Sequence, residues 1–148
     1  MTEAEQTAIT GHPLVLYDGV CGLCNRVVQF MLRVDRGDRF LFAPLESTLA
    51  REALAGFPAA PNEPEGVILI VDALTPQAQI FRRSDAVSEA LARMNGVYRQ
   101  LGKLLRLVPN PLREWSYGLV ARSRYRLFGK YDTCPIPTQA QRSRILGM

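Results

Sequence analysis

The sequence predicts an α/β fold in which a βαβαββα core is followed by two further helices. Three observations predict it. Short apolar runs alternate with segments of helical periodicity, a C-x-x-C pair falls where the first strand meets the first helix, and two more helical patterns follow the last core helix. The chain has 148 residues, 47% of them apolar and 22% charged, enough for one hydrophobic core but not two. One domain is therefore expected, with a flexible N-terminus over residues 1–12, a core over 13–96 and a basic helical extension over 97–148 packed on the same domain.

The elements follow in order. Leu14-Val15-Leu16-Tyr17 reads as a buried strand. From Cys21 to Asp35, Cys24, Val27, Val28 and Met31 recur at helical spacing, and Gly37 ends the pattern. Phe40 to Ala43 is a second strand, and Glu46 to Ala55 is a helix closed by Gly56. These make a βαβ unit with parallel strands and a right-handed crossover. The stretch Gly56 to Gly66 holds three prolines and reads as a loop. Val67 to Asp72 and Ala78 to Arg82 form an antiparallel pair across Thr75-Pro76-Gln77. Ser84 or Asp85 is the expected cap of a helix whose apolar side is Ala86, Val87, Ala90, Leu91 and Met94, with Asn95-Gly96 as its stop. This βαβαββα order is the thioredoxin-like topology. Val97, Leu101, Leu104, Leu105 and Val108 then form an apolar helical stripe ended by Pro109. Asn110 and Pro111 open a last helix running to about Leu127.

Charge and cysteine usage narrow the function classes. Residues 1–96 carry a net −4 (8 basic against 12 acidic), and residues 97–148 a net +8 (10 against 2). The longest apolar run, Val67 to Val71, is far short of the ~20 residues of a membrane span, and the polar N-terminus lacks the pattern of a secretory signal. Three cysteines do not make a disulfide framework. A cytoplasmic protein is expected.

The chemistry is expected at Asp18-Gly19-Val20-Cys21-Gly22-Leu23-Cys24. At a helix N-terminus the unpaired N–H groups and the macrodipole favour negative charge, which makes Cys21 the expected nucleophile. Cys24, about one turn along, is the expected resolving thiol, and Gly22 leaves room for a partner chain to approach Cys21. Asp18 is expected either to shape the Gly19-Val20 turn or to carry a proton for Cys24, the first role being favoured. A zinc site would need Cys21, Cys24, Cys134 and His12 together, which is half of a closed site's spacing pattern, so no metal and no cofactor is expected. Cys134 is read as a packed or idle thiol, with a second resolving role as the alternative. A rival reading takes Arg122, Arg124, Arg126 and Lys130 as a basic surface for nucleic acid or an anionic membrane. The charges are spread around the helix and no nucleic-acid motif accompanies them, so the redox reading is preferred.

The segment from Asp18 to Cys24 resembles the signature of the DCC family of thiol-disulfide oxidoreductase-like proteins. Arg83-Ser84-Asp85-Ala86, Val108-Pro109, the run from Arg122 to Gly129, and Cys134-Pro135 extend the resemblance over nearly the whole chain. It implies a thioredoxin-like fold, C-x-x-C redox activity on Cys21 and Cys24 with Asp18 as a third signature position, and a protein or small-molecule disulfide or thiol as substrate. Thioredoxins carry a Trp before the first cysteine and a Pro between the two. Here Val20 and Gly22-Leu23 occupy those places, and Pro64 is the nearest candidate for their cis-proline.

Overall fold

The computed structural model describes residues 2–35, 40–57, 67–94, 96–129 and 144–146, so Pro64, Cys134 and Lys130 lie outside the described residues. Four strands, β1 (Leu14–Tyr17), β2 (Leu41–Pro44), β3 (Val67–Val71) and β4 (Gln79–Arg82), form one sheet in the order β2-β1-β3-β4. β1 and β2 run parallel, and β3 is antiparallel to both its neighbours. Helices α2 (Gly22–Val34), α3 (Thr48–Leu54) and α4 (Arg83–Ala92) complete the βαβαββα order. Helix α1 (Glu3–Ile9) precedes it, and α5 (Val97–Leu107) and α6 (Asn110–Phe128) follow. The fold is the thioredoxin-like one expected.

Every residue of β1 and β2 is buried because helices cover both faces of the sheet. Leu14, Leu16, Ile68 and Ile70 pack on one side with Leu49 and Ala50 of α3 and Ile9 of α1. Val15, Tyr17, Leu69 and Val71 pack on the other with Val28 and Met31 of α2 and Ala86 of α4. The period-two alternation of the strands is therefore real but invisible in the sequence, since both sets are apolar.

Four local features differ from expectation. Residues 3–9, expected to be flexible, form α1: Thr2 and Glu5 make a reciprocal capping box, and Ile9 is buried. Helix α4 starts directly after β4 at Arg83, whose φ is +57°, and no side chain caps it. The expected caps point elsewhere, Ser84 donating to Glu114 and Asp85 accepting from Arg113 at 2.9 Å. In α5, Val97, Leu101 and Leu104 of the expected stripe are exposed, because the helix turns Gly102 toward α4 instead. Residues 144–146 add a short parallel bridge to β2, with Phe42 N–H donating to the Arg144 carbonyl at 2.8 Å and Arg144 meeting Asp35 at 2.5 Å.

The α4–α5 crossing yields a direct test. A Cβ at Gly102 would lie 2.5 Å from the Ala92 backbone nitrogen, so the two backbones touch with no room for a methyl. Gly102→Ala is expected to destabilise the protein by about 1–3 kcal/mol in urea unfolding, as overpacking does. Gln100→Ala, exposed on the same helix, should stay within about 0.5 kcal/mol. Equal effects of the two substitutions would contradict the close crossing.

Candidate active site

The loop Asp18–Val20 joins β1 to α2 and is pinned from several directions. Asp18 Oδ1 accepts from the Val20 N–H at 3.2 Å, and the Asp18 carbonyl accepts from the Cys21 N–H at 3.2 Å. This is the side-chain turn that Asp before Gly favours, so the geometry displays the first of the two roles expected for Asp18. Asn25 donates its side-chain amide to the carbonyls of Gly19 and Cys21 at 2.8 and 2.9 Å, and Glu46 accepts from the Gly19 N–H at 3.2 Å. Asp18 Oδ2 meets the Arg124 guanidinium at 3.2 Å, with both side chains buried.

Cys21 is the N-cap of α2, and its sulfur accepts the Cys24 N–H at 3.4 Å. Both cysteines are free thiols. Burial separates them in an unexpected way: Cys21 is 0% exposed, whereas Cys24 is half-buried. The Cys24 thiol is pushed up from 9.0 to about 12, first by burial, then by its hydrogen bond to Cys21 and by the Cys21 charge; Arg124 and the Asp18 backbone pull weakly the other way. A helix terminus contributes about 0.3–1 kcal/mol, less than one pKa unit, whereas burial moves a thiol by several units, so desolvation wins at Cys24.

The end of α6 closes against Gly22, the residue after Cys21. Gly22 N–H donates to the Gly129 carbonyl at 3.0 Å, and a Cβ at Gly22 would collide with the Phe128 carbonyl. The space at Gly22 is therefore filled by this chain's own backbone, not left for a partner as the sequence suggested. Gly129, at φ +84°, makes the turn that allows this approach, and the Arg26 guanidinium sits 5.5 Å from the centre of the Phe128 ring.

Helix α6 is tied to the core along its length. Glu114 accepts from Ser84 and from Arg83 Nε at 2.7 Å, and Arg83 lies over the Tyr117 ring at 4.9 Å. Burial alone would raise the Glu114 carboxyl, but these hydrogen bonds outweigh it and hold the group below its ordinary value. The Tyr117 hydroxyl accepts from the Val67 N–H at 3.1 Å. Arg124 therefore belongs to the site and not to a basic surface; Arg122 and Arg126 remain exposed. Between α6 and the face formed by α2, β1, β3 and α4 lies a cavity of about 600 Å³ whose wall includes Cys24 and Arg124 but not Cys21. Among the described residues, no group of three or more His, Cys, Asp or Glu side chains is placed to hold a metal ion.

A family model described as DCC1-like thiol-disulfide oxidoreductase matches residues 15–130, from β1 through the Gly129 turn. The chain belongs to that family. It is 30% identical to the uncharacterized protein YuxK of Bacillus subtilis, across 90% of this chain and 93% of that one. It is 31% identical to a chloroplastic DCC family protein of Arabidopsis thaliana, across 84% of this chain and 69% of that one. No solved structure matches the chain. The matched segment ends before Cys134 and includes every residue that builds the candidate site described above. Of the expected site residues, Asp18, Cys21 and Cys24 come together in the structure. Asn25, Glu46, Arg124 and Gly129 were not anticipated as members; only the Arg122–Gly129 run, quoted for its resemblance, pointed toward α6.

Two measurements follow. Gly22→Ala should push the Phe128–Gly129 backbone away from the start of α2, so that Cys21 in the folded protein is expected to react severalfold faster with a thiol reagent. Unchanged Cys21 labelling would show that the α6 end is not the barrier. Because folding raises the Cys24 pKa, the folded state holds that proton more tightly; this contribution is complete below about pH 9.0 and is lost as pH rises toward 12. The reduced wild type should therefore lose stability between those values more steeply than Cys24→Ala, as read by urea unfolding at each pH. Parallel curves would refute the buried, proton-holding thiol.

Proposed function

We propose that this chain exchanges dithiol for disulfide through Cys21 and Cys24. The observation that carries the reading is the juxtaposition of two thiols at the opening of α2, where Cys24 gives its backbone N–H to the Cys21 sulfur at 3.4 Å. Family membership supports the general activity. The sequence favoured Cys21 as the attacking thiol on its acidity at the helix start, on the shielding expected of Cys24 and on the space expected at Gly22. Burial favours a different division, in which Cys24 is the sulfur a substrate meets and Cys21, fully buried beside it, is the sulfur that resolves the mixed disulfide.

The exchange balances as follows. Starting with both cysteines as thiols, Cys24 loses its proton as it attacks one sulfur of the substrate disulfide. The substrate S–S bond breaks, one half leaves as a thiol carrying that proton, and the other is held on Cys24 as a mixed disulfide. Cys21 then attacks Cys24, releasing the second half with the Cys21 proton. The protein gains one disulfide and the substrate is reduced to two thiols. Asp18 acts by positioning the loop. A cytoplasmic site of action is proposed on the sparse cysteine usage and the free thiols; among the described residues no helix is long and apolar enough to cross a membrane.

The test is turnover of a small disulfide with dithiothreitol as the electron source, together with trapping. Wild type should turn over without accumulating adduct, while Cys21→Ser should accumulate a stable mixed disulfide on Cys24, seen by peptide mass spectrometry. Cys24→Ser should trap substrate only slowly, since its remaining thiol is covered. Wild-type turnover by both single variants would exclude exchange through this pair, and rapid trapping on Cys21 alone would restore the order of roles read from the sequence.

A further inference from the structure

We propose that the cavity beside Cys24 is the binding site for an uncharged, apolar, low-molecular-weight disulfide, or for the thiol it yields. This rests on the exchange activity proposed above and names the substrate class of that site. A volume of about 600 Å³ falls in the range of small-molecule sites and is too large to be a packing fault.

The walls specify the occupant. Val27 and Met31 of α2, Leu69 of β3, Leu91 of α4, Leu105 of α5 and Val120 of α6 present carbon to the interior. Two guanidinium groups border it, and each already has a carboxylate: Arg124 meets Asp18 at 3.2 Å and Arg113 meets Asp85 at 2.9 Å. Neither sign of ligand charge is therefore rewarded, and a charged ligand would lose its hydration against apolar walls. The one reactive atom on the wall is the Cys24 sulfur. A substrate whose hydrocarbon arms fill the cavity is thus held with its disulfide at the thiol assigned to meet it.

The cavity also has a structural cause. Helix α5 is held against α4 by the close backbone approach at Gly102. Helix α6 departs after Pro109 and is fixed through Glu114, Tyr117, Arg124 and Gly129 to the starts of α4, β3 and α2. Polar ties at the edges set the spacing of α6, so the middle remains open where packing alone would have closed it. The two C-terminal helices then serve as the far wall of a substrate pocket.

The experiment compares two disulfides of similar length, dibutyl disulfide and bis(carboxyethyl) disulfide, as single-turnover substrates of the fully reduced protein. Each rate is divided by that of free dithiothreitol with the same compound, which removes intrinsic reactivity. The apolar compound is expected to be favoured by about tenfold or more, the size of effect a hydrophobic pocket exerts. Ala90→Phe, which fills the cavity, should collapse that ratio toward unity; Val120→Asp, a half-exposed position that tolerates a charge, should do the same. As a readout without chemistry, dibutyl sulfide, which cannot exchange, should slow the reaction of dibutyl disulfide in wild type competitively and do so less in either variant. An equal or reversed preference in a protein that does exchange would overturn the apolar substrate class while leaving the exchange reading intact. Failure of the folded, reduced wild type to exchange with either compound would overturn both.

Discussion

The buried pair between Asp18 and Arg124 is the joint on which the site depends. One oxygen of Asp18 closes the turn before Cys21 and the other holds a side chain from the last helix. A buried ion pair is weak evidence for stability, because desolvation consumes most of the attraction, but breaking one partner is costly. Its value here is positional. It couples the geometry of the β1–α2 loop to the placement of α6, whose other ties run from Glu114 to Arg83 and from Tyr117 to Val67. The C-terminal helices are therefore structural partners of the thiol loop and not an appendage to a finished core.

Much of the core was legible because its elements are driven by local pattern. β1 and β3 are unbroken apolar runs, α2 shows its inward residues at helical spacing, and the prolines and glycines punctuate where chain direction changes. Helix α1 was passed over because only Ile9 is buried, although the Thr2 and Glu5 capping box was present to be read. The apolar stripe of α5 misled for a different reason. Periodicity reports that a helix has an apolar side, but the side turned inward was chosen by Gly102, whose lack of a side chain allows closer contact than any leucine.

The site was legible only in part, because its remaining members come from distant segments. Cys21, Cys24 and Asp18 share one short motif, so their proximity is nearly guaranteed by sequence. Arg124 stands between Arg122 and Arg126 and looks like one more surface charge; only the tertiary packing of α6 turns it inward. The glycine between the cysteines had an ordinary reading as space for a partner, and nothing local signals that Phe128 and Gly129 occupy that space. Glu46 is similar: it reads as a helix-start residue and proves to hold Gly19.

The unequal access of the two sulfurs has a chemical logic under the proposed exchange. In thiol-disulfide exchange the attacked sulfur must be reachable, while the departing sulfur leaves most easily where negative charge is best accommodated. Cys24, on the cavity wall, satisfies the first requirement; its buried setting makes it a poor place for charge. On the proposed reading Cys21 is suited to the second, because the Cys24 N–H and the start of α2 face its sulfur. Under the proposed exchange, when the pair is a disulfide and a thiolate arrives at Cys24, the electron pair of the broken bond moves to Cys21, whose sulfur the Cys24 N–H already faces. The proposed arrangement would then serve both directions of exchange, with the net direction set by the thiol and disulfide pools present.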